Sequence, residues 1–243
     1  MPTSTQSIRE IVSNQSSAAA VLQRFEIDLC SQANESLKQA CTELQLSVDQ
    51  VLEKLSDAAG KENGAVPADL AGYSLSRLIQ HIVRVHHQYV RSELPRVAAM
   101  AHKLAAKHGD RSPELKRVEA LLDALHAEMF AHLQKEEQVL FPFIAQMEEE
   151  AAGFTSPVRA CFKTVAQPVS MMVREHESAE GLVAEMRRLT NGFKAPAWGC
   201  VTYVALFAEL SQFERDLRQH VHIENDILFP RAVEMESTLN ERR

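Results

Sequence analysis

Aromatic residues make up only 6% of this 243-residue chain, which also holds just eight glycines and nine prolines. With so few breakers, long stretches run uninterrupted, and an all-helical protein is favoured over one of many strands and turns. Basic residues are the minority, 26 against 33 acidic, for a formal net charge of −7. A nucleic-acid binder needs a basic stripe or excess, so nucleic acid is not an expected partner. No apolar run approaches the roughly 20 residues that span a bilayer, and the N-terminus has no apolar signal core. No membrane partner is expected, and the expected compartment is the cytoplasm. The four cysteines, Cys30, Cys41, Cys161 and Cys200, lie far apart and never in C-x-x-C spacing. A chain this large needs no disulfide staples, so reduced thiols are expected.

What the chain has instead is a repeat. His132-Leu133-Gln134-Lys135-Glu136-Glu137-Gln138-Val139-Leu140-Phe141-Pro142 returns 88 residues later as His220-Val221-His222-Ile223-Glu224-Asn225-Asp226-Ile227-Leu228-Phe229-Pro230. Both read His-x-x-x-Glu and end in Leu-Phe-Pro. On a helix, His at i and Glu at i+4 project from one face, one turn apart, and present an imidazole and a carboxylate to a single point. One such pair is an ordinary surface hydrogen bond. Two copies with the same apolar sequel point to one metal site built by a duplicated unit.

The surrounding pattern predicts where these motifs sit. Residues 1–58 read as a small helical N-terminal domain, with a disordered polar start at 1–7 and helices near 34–43 and 47–58, the last capped by Ser47. Residues 59–72, where Gly60, Gly64 and Pro67 stand among polar residues, read as a linker. Residues 73–243 then carry four long helices. The first runs from Ser74 to His108, kinked at Pro95 and stopped at Gly109. The second restarts at Ser112-Pro113-Glu114 and runs to about Glu149, kinked at Pro142. The third spans Val165 to Thr190, stopped by Asn191-Gly192, and the fourth runs from Pro196 to about Glu234, kinked at Pro230. Four such helices joined by loops predict an antiparallel four-helix bundle.

The repeat extends to the other two helices. His87 lies 45 residues before His132, and His176 lies 44 before His220. Folded as a bundle, the halves bring His87, His132, Glu136, His176, His220 and Glu224 together about a pseudo-twofold axis. His86 fits the spacing as well as His87, and the residues alone leave that choice open. His81, His102, His108, His126 and His222 are read as non-ligands. Six ligands exceed a tetrahedral zinc site, and mixed imidazole and carboxylate suit iron or manganese. Two non-haem irons are expected, with Glu136 and Glu224 bridging them by symmetry. Metal-bound imidazoles donate their second N–H to an acid or carbonyl. Glu128 and Asp216, each four residues before a ligand, and Glu175 beside His176 are the candidates, and they would also serve as a catalytic proton relay.

These motifs resemble the hemerythrin-like HHE cation-binding fold, and the whole chain is similar to the di-iron iron–sulfur cluster repair proteins, the repair-of-iron-centres family. The resemblance is carried by Arg84-Val85-His86-His87 leading to Glu93-Leu94-Pro95, by both Glu…Leu-Phe-Pro runs, and by Glu175-His176-Glu177-Ser178-Ala179-Glu180-Gly181. In that pattern the ligand lies eight residues before Pro95, which selects His87 over His86. The resemblance implies a di-iron centre with bridging carboxylates that restores clusters damaged by nitric oxide or oxidants, by iron donation or nitric-oxide chemistry. Damaged iron–sulfur proteins would be its clients. The family's N-terminal domain usually carries adjacent cysteines; here Phe25-Glu26-Ile27-Asp28-Leu29-Cys30 is followed by Ser31. Cys30 is left to act alone or with Cys41, or to serve as a small buried residue. Two other functions fit the same centre: an oxygen or nitric-oxide carrier or sensor, and a di-iron oxidase or peroxidase with Glu128 and Glu175 as proton donors. Apolar faces in the N-terminal module would suit a homodimer.

Overall fold

The computed structural model describes residues 2–15, 17–29, 31–62, 70–155 and 162–242. Its N-terminal module begins with two capping boxes. Ser7 and Ser36 start α1 (Ile8–Asn14) and α3 (Leu37–Glu43), each hydroxyl accepting the N–H three residues on, where Glu10 and Gln39 answer the cap amide. The two starts lie side by side: Ile8 donates its N–H to the Glu35 carbonyl and Leu37 to that of Gln6, both at 2.9 Å. The N-terminal segment is therefore ordered rather than disordered, since pairing with residues 35–38 satisfies its backbone; Lys38 also donates to the Ser4 carbonyl at 3.0 Å. α2 (Ala18–Arg24) and α4 (Val48–Glu62) complete the module, and Ser47 caps α4 by accepting from Gln50 at 3.4 Å. α4 reaches into the stretch read as a linker. The remainder of that stretch up to residue 69 lies outside the described residues, as do Cys30 and Cys161. Cys41 is fully buried in the module's core, and burial pushes its thiol up, away from the reactive thiolate.

Four rods follow. Rod one is α5 (Leu75–Ile82), a π turn over Val83–His87, and α6 (Gln88–His108). Rod two is α7 (Glu114–Lys135), a π turn over Glu136–Leu140, and α8 (Phe141–Ala151). Rod three is α9 (Ala166–Leu189). Rod four is α10 (Val201–His222), a π turn over Ile223–Leu228, and α11 (Phe229–Glu241). α6 and α9 each pack against both α7 and α10, closing an all-α four-helix bundle. Among the described residues no helix is long and apolar enough to cross a membrane.

The prolines act differently from simple kinks. Pro95 sits inside α6 without ending it. At Pro142 and Pro230 the missing N–H and the ring's clash with the carbonyl four residues back disfavour a regular turn. The preceding Phe141 and Phe229 instead donate their N–H groups five residues back, to the carbonyls of Glu136 and Glu224. Each Leu-Phe-Pro thus goes with a widened turn that begins at or beside its glutamate, a device common at functional sites.

The apolar interior has two parts. One joins Ile11, Leu22, Leu37 and Leu55 of the N-terminal module to Leu94, Val97, Leu122, Leu206 and Phe213 of the bundle. The other gathers Leu78, Ile82, Phe141, Ile144, Met172, Leu228 and Phe229. The N-terminal module therefore shares a core with the bundle.

Two glycines respond oppositely to substitution. Gly109 ends α6 with an ordinary φ of −61°, not in the left-handed conformation expected of a C′ glycine. It is needed because a Cβ there would strike the Ala105 carbonyl oxygen and come within 2.8 Å of Lys116 Cε. Gly109→Ala should cost about 1–3 kcal/mol. Gly181, inside α9, has nothing within 4 Å of such a Cβ. Gly181→Ala should gain about 0.5–1 kcal/mol. Urea melts of the two variants decide both signs.

Candidate metal centre

The layer between the two apolar cores is polar. His87, Glu136, His220 and Glu224 are fully buried, and His132 and His176 are 2% and 1% exposed. His87 comes from the end of rod one's π turn, Glu136 and Glu224 from the two later π turns, and the other three from α7, α9 and α10. The imidazoles meet in two pairs: Nε2 of His87 and His220 are 3.2 Å apart, and Nε2 of His132 and His176 are 3.0 Å apart. Glu136 turns one oxygen to both pairs, its Oε2 lying 3.4 Å from His87 Nε2 and 3.4 Å from His132 Nε2. Glu224 divides its oxygens, Oε1 at 3.0 Å from His220 Nε2 and Oε2 at 3.0 Å from His176 Nε2. Two four-residue groups result, each with its own histidine pair and both containing Glu136 and Glu224.

Every imidazole thus aims Nε2 inward, and for three of the four a neighbouring rod holds the other nitrogen. Nδ1 of His87 meets Glu137 Oε1 at 2.6 Å, that of His132 meets Glu175 Oε2 at 3.0 Å, and that of His176 meets Asn225 Oδ1 at 3.0 Å. An acceptor at Nδ1 fixes the tautomer that leaves Nε2 free for a cation. Glu137 is gripped in turn by Nη1 and Nη2 of the Arg91 guanidinium, and Glu175 by Lys135. Burial would raise these two carboxyls, but Arg91 and His87 outweigh it at Glu137, and Lys135 and His132 at Glu175, holding both below the usual value. Phe141 stacks on His87 at 5.6 Å and Phe229 on His176 at 6.1 Å, which gives the Leu-Phe-Pro phenylalanines their place.

Glu128 is not part of this cluster: it is exposed and accepts from the Ser178 hydroxyl at 2.9 Å. Asp216 is close by but meets His86 Nδ1 at 2.9 Å rather than His220. Sequence reasoning missed Glu137 and Asn225. Their signal was there: the position after each repeated glutamate carries an oxygen acceptor.

The donor set suits a cation. Glu136 keeps both oxygens, and Glu224 its Oε2, without a well-directed hydrogen bond in a buried layer. Paired imidazole nitrogens that face each other at 3.0–3.2 Å also need a positive charge or a shared proton between them. With protons as the only counter-charges the layer is frustrated. Burial and the neighbouring Glu224 push Glu136 up to about 8. Burial disfavours charge on His87, yet Glu136 and Glu224 overcome it and hold that ring at about 10. His132 is pushed down to about 4, chiefly by burial, with His176 adding to it. A metal cation among the imidazoles and carboxylates would relieve all three, and its uptake would displace protons.

Comparison with known proteins agrees. Residues 78–232 match the family model described as the hemerythrin HHE cation binding domain, and residues 4–59 match a domain of unknown function, DUF542. The chain is 30% identical over 229 residues to the iron-sulfur cluster repair protein YtfE of Enterobacter sp. (strain 638), covering 94% of this chain and 96% of the relative. It is also 30% identical over 217 residues to the proteins of that name from Escherichia coli O81 (strain ED1a) and Escherichia fergusonii (strain ATCC 35469), covering 89% of this chain and 91% of each relative. The chain belongs to the hemerythrin HHE cation-binding family, alongside the iron-sulfur cluster repair proteins.

Proposed function

We propose that the chain is a di-iron protein that rebuilds iron–sulfur clusters damaged by nitrosative or oxidative stress, acting on cytoplasmic client proteins. The observation that carries the two-iron reading is the sharing of carboxylates: each histidine pair is separate, yet both pairs face Glu136 and Glu224. His87 and His220 would hold one iron and His132 and His176 the other, with Glu136 and Glu224 bridging. Four imidazoles and two carboxylates suit iron better than a cysteine-poor structural zinc site. When bound, the irons supply a Lewis-acidic pair able to take a diatomic ligand, or iron itself as the substrate passed to a client.

The chain's own residues divide the remaining work. Glu137, Glu175 and Asn225 keep three imidazoles with Nε2 inward. Phe141 and Phe229 cover His87 and His176 and exclude water from that side. Glu175 is 29% exposed and touches both His132 and Lys135, so as an ionised acceptor it ties the His132 N–H to the rim of the layer.

The test has two stages. Metal analysis of protein grown on iron should give about two irons per chain, and full occupancy by zinc overturns the assignment. The iron-loaded protein is then mixed, with no added iron, with a dehydratase whose cluster has been destroyed. Recovery of dehydratase activity supports repair. No recovery together with reversible oxygen binding sinks repair in favour of a carrier.

A further inference from the structure

We propose that the two metal positions are unequal, and that the ion held by His87 and His220 is released first. The inference rests on the two-iron reading above. Its source is a break in the repeat. The residue before His176 is Glu175, which accepts from His132 Nδ1 at 3.0 Å. The same place in the first half, before His87, is held by His86, and the repeat would have it accept from His220 Nδ1. It does not. His220 Nδ1 is buried without a hydrogen-bond partner. His86 lies flat against the His220 ring instead, centroids 5.4 Å apart and planes 4° from parallel, with its own Nδ1 turned to Asp216 at 2.9 Å.

The next position outward is broken around the same histidine pair. Lys135 braces Glu175 from the surface, and its counterpart 88 residues on is Ile223, fully buried. The His132–His176 pair thus has an acceptor on both imidazoles, while the His87–His220 pair has one on His87 alone. A stacked ring restricts the tilt of His220, but it neither fixes the tautomer nor raises the basicity of Nε2. Losing one such partner typically weakens a metal site about 10–100-fold. His86 is therefore a positioning residue whose identity makes one ion labile beside a retained one. That is the arrangement a donor needs if it is to give up iron without emptying its centre.

The protein is loaded with two ferrous ions without oxygen and mixed with an excess of a chromophoric ferrous chelator. Two phases of equal amplitude are expected, differing in rate by about 10–100-fold. His86→Gln can donate to Asp216 and accept from His220 Nδ1, so it should slow the fast phase and leave the slow one alone. Glu175→Ala, at a rim position, should speed the slow phase until the two merge. A merely structural disturbance would move both phases together in either variant. Two ions released in one phase, or a fast phase unchanged by His86→Gln, overturns the inference while leaving the two-iron reading intact. A chain that binds only one ion overturns both.

Discussion

Glu224→Ala should yield a folded protein that is almost free of metal. Its carboxylate is the one group that gives a separate oxygen to each histidine pair, at 3.0 Å from His220 and 3.0 Å from His176. Removing it takes a ligand from both positions at once. The loss per site should exceed the roughly 10–100-fold that follows from losing only a supporting partner. The fold should survive, because the deleted group is a carboxylate whose burial opposes its charge and which only the surrounding imidazoles hold ionised. Elemental analysis should fall from about two irons per chain to a small fraction of one, with far-ultraviolet circular dichroism unchanged. Glu128→Ala, on the exposed face of α7, should keep full metal content. If the Glu224 variant holds one ion at full occupancy, this carboxylate does not serve both positions.

Arg96→Met should be the most destabilising single change at the junction between the N-terminal module and the bundle. The guanidinium meets Glu93 at 2.8 Å on its own rod, Gln23 of α2 at 2.8 Å, and Glu209 of rod four at 2.9 Å. The side chains of Glu93 and Glu209 are 7% and 5% exposed. Without Arg96, Glu209 keeps the Ala20 backbone amide but no nearby cation among these contacts. Breaking a buried pair from one side costs about 3–5 kcal/mol. The pH dependence follows from the sign of the Glu209 shift. Burial raises that carboxyl above its usual 4.5, with Arg96 opposing. In the variant the raise grows, so the penalty appears as pH climbs past the ordinary carboxylate range and fades below it. Urea melts at neutral and acidic pH should therefore differ in how far Arg96→Met falls below wild type. Arg96→Met with Glu209→Gln should recover most of the loss at neutral pH; failure to recover would place the cost elsewhere.

The buried His–Glu layer was legible in the sequence because it is local physics written twice. His and Glu four apart must share a helix face, and the duplicated spacing turns one pair into half of a site. Its supports were less legible, since they belong to other rods. An imidazole that sends Nε2 into the bundle sends Nδ1 sideways toward a neighbour, so Glu137, Glu175 and Asn225 meet histidines 43–50 residues away in the chain. The rule that put Glu128 and Asp216 four residues before a ligand looked along the helix, the wrong direction for that nitrogen. The N-terminal segment failed for a related reason: its polar composition suggests disorder until residues 35–38 are known to lie alongside it.

The π turns leave a signature in the spacing of buried positions. Along rod two, Leu115, Leu122, Met129 and Glu136 are buried at steps of seven, with Val118, Leu125 and His132 between them at the same step. Continued, that rhythm would bury Val139 and Phe143. The buried residues are Leu140 and Ile144, one place late, and Val139 is 43% exposed. Rod four keeps the same beat through Tyr203, Leu210, Leu217 and Glu224, then resumes at Leu228 and Ala232. Rod one passes from Leu75 and Ile82 to His86 and Val90, leaving Val85 39% exposed. α9, which has no such turn, holds the beat through Met172, Ala179 and Met186. Each π turn is in effect a one-residue insertion in the hydrophobic frame, and the frame slips in all three rods at the level of the buried His–Glu layer. A periodicity reading carried unbroken down any of them turns the wrong face inward just past the clustered histidines and glutamates.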